Sequence, residues 1–169
     1  MAIAIGAFER GLVTPSAFDR YLAGDDDALS PEAQAGLDKF YALGCTTCHS
    51  GAAVGGGMYR KLGQVHPYET ADVGRYEVTG LEEDRQVFKV PSLRNVTETG
   101  PWFHDGSIDQ LDEAVRLMAW HQLGMETTPA DRKSLIAFLE ALNGEPDPAY
   151  VAEPKRLESG PDTPAPDPR

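Results

Sequence analysis

Two cysteines and one histidine occur within five residues of this 169-residue chain, in the sequence CTTCH at positions 45–49. This CxxCH spacing is typical of the covalent attachment of a c-type haem. Two thiols one helical turn apart can each meet one of the two vinyl groups along a haem edge, and the adjacent imidazole is then directed toward the iron. The motif therefore predicts one covalent haem c, attached through Cys45 and Cys48 and ligated by His49.

Two other chemistries of paired cysteines fit the sequence less well. A structural zinc site usually has four protein ligands, commonly two cysteine pairs or one cysteine pair with a spaced histidine pair. The four histidines are too scattered for this, at positions 49, 66, 104 and 121. A thioredoxin-like redox pair requires alternating strands and helices around it, a pattern that the sequence does not show.

The sixth iron ligand separates an electron carrier from a catalyst, because a filled position leaves no room for a substrate. Met118 lies on a predicted helix, on the same face as Leu111 and Val115. From helical position alone it is equally a core residue, because methionine often fills irregular gaps. His121, one turn further along, is the alternative nitrogen ligand. Two further methionines are less well placed, one in a glycine-rich loop and one beyond the predicted helix end: Met58 and Met125.

Helix starts and ends are well marked in much of the chain. Thr14 and Ser30 each precede a proline suited to the first helical position. Ser107 begins a capping-box pattern with Gln110, and Thr128 opens the last helix. Glycines follow most of the predicted helices, which cover residues 2–12, 17–23, 31–43, 107–122 and 128–144.

Residues 51–100 carry weak signals for regular structure, many glycines and two prolines. An unstructured loop of this length is uncommon in a compact domain, but a large buried cofactor can replace the missing core. We therefore predict an all-α fold, a single haem domain over residues 1–144 whose long irregular loops wrap around one covalent haem. Residues 145–169 hold seven of the thirteen prolines and are predicted to form an acidic, proline-rich tail.

Composition excludes several classes of partner. A hydrophobic content of 41% fits a soluble globular protein, and no apolar run approaches the ~20 residues of a membrane span. Residues 1–8 lack the basic flank and cleavage site of a signal peptide, and they are predicted to begin a helix instead. The net charge of −12 disfavours nucleic acid and acidic membranes and favours basic partners.

The segment from residue 84 to residue 124, DRQVFKVPSLRNVTETGPWFHDGSIDQLDEAVRLMAWHQLG, resembles the bacterial di-haem cytochrome c peroxidases and their relatives in the MauG family. The segments GCTTCHSGAAVGGGMYRKLG and GRYEVTG are similar to the same family, and the similarity spans residues 2–144. Such peroxidases have two cytochrome c-like domains. The N-terminal domain holds the peroxide-reducing haem and the C-terminal domain holds a high-potential haem that receives electrons, and this chain resembles the C-terminal domain alone.

The resemblance implies roles for several residues. In the family the high-potential haem is ligated by the histidine of the attachment motif and by a methionine in the helix after FHDG, which correspond to His49 and Met118. A tyrosine takes this methionine position in the MauG-type oxidases. His104 matches a histidine near this haem, although a hydrogen-bonded loop histidine is an equal alternative. Thr99 and Pro101 match positions whose backbone carbonyls bind calcium between the two domains, so that a calcium site here would be weaker without the second domain.

Two cations near these positions could pair with the haem propionates, although a solvated surface role fits them equally: Lys89 and Arg94.

The resemblance implies that the chain is the electron-accepting half of an enzyme that reduces hydrogen peroxide to water. A second CxxCH is absent from the sequence, and one haem with both axial positions filled has no place for peroxide. Two alternatives remain: a stand-alone mono-haem electron carrier unrelated to peroxide, and a single-haem peroxidase in which Met118 is labile.

The resemblance also implies partners and a location. The expected partners are a small cytochrome c or a cupredoxin as electron donor and the peroxidatic haem domain. Family members are usually dimers, which favours a homodimer, although loss of one domain can change this. The expected location is the periplasm, with no signal peptide in this sequence. Residues 2–12 resemble the segment that follows the peroxidatic domain, so the chain is expected to be part of a longer protein.

Overall fold

The computed structural model describes residues 2–153 and 160–164, and most of its regular structure is helical. The contacts divide the chain into two compact units, one formed by Thr14–Glu145 and one by the two ends of the chain. The domain boundary at residue 144 stays a prediction. The larger unit holds helices α2 to α6 and both strands: α2 (Ala17–Leu22), α3 (Pro31–Ala42), β1 (Tyr59–Lys61), α4 (Tyr76–Thr79), β2 (Val87–Lys89), α5 (Leu111–Leu123) and α6 (Pro129–Glu140).

Several predicted helix ends are confirmed by local chemistry. The side chain of Ser30 accepts a hydrogen bond from the backbone of Ala33 at 3.1 Å and caps α3. Thr128 caps α6 in a reciprocal capping box with Asp131. Gly44 and Gly124 follow α3 and α5 with φ values of 87° and 67°. This left-handed conformation costs little for glycine and ends each helix where the sequence predicts it.

One predicted cap and one predicted helix start are wrong because longer-range pairing competes with the local pattern, although α2 itself begins at Ala17 as predicted. The cap of α2 is Ser16 instead of Thr14, and Ser16 also forms an isolated bridge with Gly144. Helix α5 begins at Leu111 instead of at Ser107. Ile108 exchanges backbone hydrogen bonds with Trp102, and this pairing keeps the preceding residues out of the helix.

The core of the larger unit lies where α3 packs against α6. Phe138 of α6 is 1% exposed, and its ring lies 5.3 Å from that of Phe18 and 5.2 Å from that of Phe40. The two helix backbones approach closely at Gly36, where an added Cβ would lie 1.9 Å from the carbonyl oxygen of Ser134. A glycine is therefore required at this crossing point.

The prediction of an all-α fold is confirmed in its helical part and misses a small sheet. Strands β1 and β2 pair in antiparallel orientation, with Arg60 opposite Phe88. The strands are three residues each and lie within the segment predicted as irregular. Four single 3-10 turns lie between the helices, at Asp26–Ala28, Cys45–Thr47, Glu82–Asp84 and Val96–Glu98.

The second unit comprises, within the described residues, 2–13, 146–153 and 160–164. It holds helices α1 (Ala2–Glu9) and α7 (Pro148–Val151). The rings of Phe8 and Tyr150 stack with centroids 5.3 Å apart, and the Tyr150 hydroxyl donates to the Phe8 carbonyl at 2.8 Å. Across both units, none of the described helices has the length and apolar character that crossing a membrane requires.

We predict that Gly36→Ala destabilises the protein. The new methyl group would meet the Ser134 carbonyl, a backbone atom that cannot rotate away. Overpacking of this kind costs about 1–3 kcal/mol, which exceeds the gain of at most about 1 kcal/mol in helix propensity. Thermal unfolding of the haem-loaded protein should show a lower midpoint.

Gly6→Ala in α1 is the matched control, because the nearest atom to its added Cβ is the end of the flexible Arg10 side chain at 3.7 Å. It should leave the midpoint unchanged or slightly higher. An equal midpoint for the two variants would show that α3 and α6 do not require the glycine.

Candidate functional site

The attachment motif lies directly after α3. Gly44 turns the chain with its positive φ, and Cys45–Thr47 then form a single 3-10 turn. The His49 amide donates to the Cys45 carbonyl at 2.9 Å and extends the turn to the histidine. The two cysteines do not form a disulfide with each other. The turn therefore presents two thiols and an imidazole on one short, compact segment.

This segment forms one wall of a cavity of about 520 Å³. The volume lies within the range of about 300–1,000 Å³ that is usual for small-molecule and cofactor sites. The structure brings the predicted site residues to this one cavity, since all of these lie in its lining: Cys45, Cys48, His49, Lys89, Thr99, Pro101, His104 and Met118. The remaining lining is mainly aliphatic and aromatic, from α3, β2, the 91–103 segment, α5 and α6.

Helix α5 presents one face to the cavity, with Met118 in its middle. The other lining residues of the helix recur at helical spacing: Leu111, Ala114, Val115, Ala119, Gln122 and Leu123. His121 is not in the lining as described, and its Nδ1 lies 2.9 Å from the His66 carbonyl. Met58 and Met125 are likewise outside that lining. Of the candidates for a second axial ligand, Met118 is the one that shares the cavity with His49.

The environment of His49 favours a neutral ring. Its Nδ1 is buried and has no hydrogen-bond partner among the described residues. Burial lowers the pKa of His49, and the nearby carbonyls of Val54 and Pro91 oppose this only in part. Neutral imidazole is the form that binds a metal. A neutral imidazole that lines an apolar cavity beside two thiols fits the requirements of a covalent haem.

Burial also affects the pKa of the Cys45 thiol. Desolvation, with a smaller contribution from Cys48, raises its pKa to about 11. At neutral pH the thiol is therefore protonated. This protonated thiol adjoins the apolar cavity, where a vinyl edge would lie.

His104 occupies the cavity and also has a neighbour in a loop. Its Nε2 lies 3.6 Å from a carboxylate oxygen of Asp72, and its ring centroid lies 4.8 Å from that of Phe88. The side chain is 66% exposed. The geometry thus accommodates both predicted roles of His104, near a haem and against a loop.

Arg94 is outside the described cavity lining, and neither role that the sequence left open for it is observed, because the side chain is placed neither beside the cavity for a haem propionate nor in solvent. The side chain is 18% exposed and forms an ion pair with Asp19. Its Nε and Nη2 donate to the Ala52 carbonyl at 3.0 and 2.8 Å. The carboxylate and the carbonyl together occupy the guanidinium, which leaves Lys89 as the predicted cation in the cavity lining.

Two residues of the cavity lining are absent from the sequence predictions. Arg60 lines the cavity from β1, where the strand register sets it opposite Phe88. Gln122 lies one turn after Met118 and accepts hydrogen bonds from the amides of Gly63 and Gln64 at 2.8 and 2.9 Å. Its amide also donates to the Lys61 carbonyl at 3.0 Å. Helical spacing from Met118 could have indicated Gln122, whereas Arg60 depends on a strand pairing that the sequence does not signal.

The charge of the cavity lining is opposite to that of the chain. The chain carries a net charge of −12, yet no carboxylate occurs in the lining that the structure describes, and Arg60 and Lys89 are both present. Within the same described residues, no three His, Cys, Asp or Glu side chains group as a metal site. The calcium site at Thr99 and Pro101, which depends on backbone carbonyls, stays a prediction.

We predict that Gln122→Leu opens the 61–64 loop, because two amides lose their acceptor while the cavity keeps a side chain of similar volume. A hydrogen bond contributes about 1 kcal/mol net, so two correspond to roughly thirtyfold faster hydrogen exchange at the amides of Gly63 and Gln64. Gln34→Leu is the control, since Gln34 also donates to loop carbonyls but lies elsewhere, at Asp26 and Leu29. Equal exchange in the two variants would rule out a bracing role for Gln122.

Several known proteins are similar to the chain over most of its length. No family model matches the chain. Cytochrome c551 peroxidase of Nitrosomonas europaea is 47% identical over 145 residues, covering 84% of this chain and 43% of the relative. Cytochrome c551 peroxidase of Pseudomonas aeruginosa is 41% identical over 168 residues, covering 95% and 49%.

The fold has a counterpart among solved structures. The crystal structure of a MauG-like protein associated with microbial copper homeostasis matches with a TM-score of 0.64 at 22% identity, over 83% of this chain and 54% of that one. The chain spans about half the length of the curated relatives it matches. Over most of its own length, this chain is a homologue of the cytochrome c peroxidases and MauG proteins, a relationship that implies haem c as its cofactor.

Proposed function

We propose that the chain is the electron-accepting, single-haem half of a cytochrome c peroxidase. Cys45 and Cys48 attach the haem, and His49 and Met118 are its axial ligands. The observation that carries the proposal is that the CxxCH turn and Met118 line the same cavity, whereas the rival ligand His121 lies outside its described lining.

The lining residues support a haem held with its propionates toward the cations. When bound, the haem supplies a one-electron couple between Fe(III) and Fe(II). Arg60 and Lys89 provide positive charge for the propionates in a site without described carboxylates. The thioether of Met118 raises the reduction potential and fills the sixth position, so that the chain's own residues favour electron relay over substrate binding.

The names of the relatives support the link to peroxide. Cytochrome c peroxidases match this chain over less than half of their own length, which leaves room in such proteins for a separate peroxidatic domain. The electron would enter at this haem from a small cytochrome c or a cupredoxin and pass to that domain, where hydrogen peroxide is reduced to water. A periplasmic location, a homodimer and a calcium ion at Thr99 and Pro101 belong to the same proposal.

The axial assignment predicts a specific spectral change. Met118→Ala should abolish the sulfur-to-iron charge-transfer band of the oxidised protein, because the variant has no thioether at the iron. Met125→Ala is the matched control, since Met125 is an exposed methionine outside the described cavity lining, and it should keep the band. His121→Ala should keep it as well.

A band that survives in Met118→Ala would overturn the axial assignment. Loss of the band in Met125→Ala with retention in Met118→Ala would assign the ligand to the other methionine. Haem that is released on denaturation of the parent protein would overturn covalent attachment at Cys45 and Cys48.

The net charge predicts the salt dependence of electron entry. A chain of charge −12 attracts a basic donor, and salt screens this attraction because the Debye length falls from about 30 Å at 0.01 M to about 3 Å at 1 M. The second-order rate of reduction by a basic small cytochrome c should therefore fall at least tenfold over this range. Reduction by an acidic donor should accelerate instead. A rate that is independent of salt for both donors would contradict electrostatic steering.

A further inference from the structure

The loop of residues 51–55 follows the attachment motif and closes against His49. A Cβ added at Gly55 would lie 3.1 Å from Nδ1 of His49 and 2.1 Å from the carbonyl oxygen of Pro91. Gly55 has a φ of +125°, a conformation that glycine adopts easily. The loop backbone therefore lies close to the Nδ1 side of the ring, and the Pro91 carbonyl leaves no room for a methyl group at Gly55.

The loop includes a residue in an unfavourable conformation. Val54 has a φ of +48° and is 6% exposed. A β-branched residue in the left-handed region costs about 1–3 kcal/mol and persists only where surrounding contacts enforce it. Contacts elsewhere must hold this loop in place.

Three successive loop carbonyls receive hydrogen bonds from three successive residues of another segment. The guanidinium of Arg94 donates to the Ala52 carbonyl at 3.0 and 2.8 Å. Two further hydrogen bonds complete the set. The Ser92 hydroxyl donates to the Ala53 carbonyl at 2.7 Å, and the Leu93 amide donates to the Val54 carbonyl at 3.1 Å. The loop is thus attached along its length to residues 92–94.

The arginine is itself anchored. Its Nη2 donates to one carboxylate oxygen of Asp19 at 2.7 Å, its Nη1 binds the other, and Nη1 also donates to the Ser16 hydroxyl at 3.0 Å. Ser16 is 3% exposed and donates to Asp19 through both its amide and its hydroxyl at 2.7 Å. The hydrogen bond from Arg94 holds the pKa of Asp19 well below its ordinary value, so the carboxylate stays charged.

We propose that Arg94 is a positioning residue for His49: with Asp19 as its anchor, it holds the 51–55 loop closed over the Nδ1 side of the ring. The inference rests on the proposed function, in which His49 ligates the iron. Hydrogen-bonding groups beyond the ligands fix the orientation of a metal-bound histidine and control solvent access to it. Here the outer group acts through backbone, since the guanidinium touches the loop and not the ring.

Arginine is specifically suited to this role. Its planar fork spans a carboxylate on one side and a carbonyl on the other, and an ammonium group is a point charge that cannot do both. Arg94→Lys should therefore keep the attraction to Asp19 and lose the hold on Ala52. Asp19→Asn should keep the arginine and weaken its anchor.

The test measures hydrogen exchange of the Nδ1 proton of His49 by NMR in the reduced, haem-loaded protein. Exchange should be at least tenfold faster in Arg94→Lys than in the parent, and faster to a smaller extent in Asp19→Asn. Backbone amides of Phe138 and Leu142, which lie in the core, should change less than twofold, because the opening is local.

Arg132→Lys is the matched control. Arg132 is also a mostly buried arginine, 12% exposed at its side chain, that spans the Asp112 carboxylate at 2.8 Å and the Thr127 carbonyl at 2.7 Å, on a different part of the fold. The Arg132→Lys variant should lose about as much stability as Arg94→Lys, and it should leave the exchange of the Nδ1 proton of His49 unchanged.

The outcomes separate the inference from the proposed function. A parent protein without covalent haem overturns the proposed function, and the inference with it. A parent with covalent haem in which Arg94→Lys and Asp19→Asn leave the Nδ1 proton protected overturns the inference alone. Equal acceleration in Arg132→Lys, or a parallel rise at Phe138 and Leu142, also overturns it, because either result means that the arginine contributes only general stability.

Discussion

The close packing of α3 on α6 is the contact on which the rest of the larger unit depends. Gly36 lets the two backbones meet, and the aromatic ring of Phe138 then fills the space between Phe18 and Phe40. Phe40 also lines the cavity, so the end of α3 belongs to both the core and the site. The attachment motif begins one turn later at Cys45. The position of the two thiols is therefore set by a helix-helix crossing that involves no cofactor.

Short-range chemistry explains which parts of the fold were predictable. Ser30, Thr128 and Gly44 act within three or four residues of the helix end that they define, and sequence alone identifies them. Ser107 has equally good local chemistry but does not start a helix, because Ile108 pairs with Trp102. The small sheet was also unpredictable, since its three-residue strands lie 25 residues apart and carry little alternation.

The same distinction applies to the site. The motif at Cys45 and the helical face of Met118 are local patterns, and the structure brings both to one cavity. Neither role predicted for Arg94 was right, because its charge was visible in the sequence whereas its partner, 75 residues away, was not. Arg60 depends on the register of β1 against β2, and only the folded chain defines that register. A charged side chain near a motif thus says little about its target until the long-range contacts are known.

The side chains that hold the loops around the cavity do so through hydrogen bonds to backbone atoms. Gln122 bonds to the amides of residues 63 and 64 and to the carbonyl of Lys61, and Arg94 bonds to the carbonyl of Ala52. Backbone groups are the same whatever side chain a residue carries. The side chains of Ala52, Lys61 and Gln64 can consequently be exchanged without loss of these hydrogen bonds, whereas Gly63 cannot, because its φ is +77° and an added Cβ would lie 2.6 Å from the amide nitrogen of Tyr68. Under the function proposed above, an engineer could therefore change these three side chains to recognise a new redox partner while keeping the backbone that surrounds the cavity.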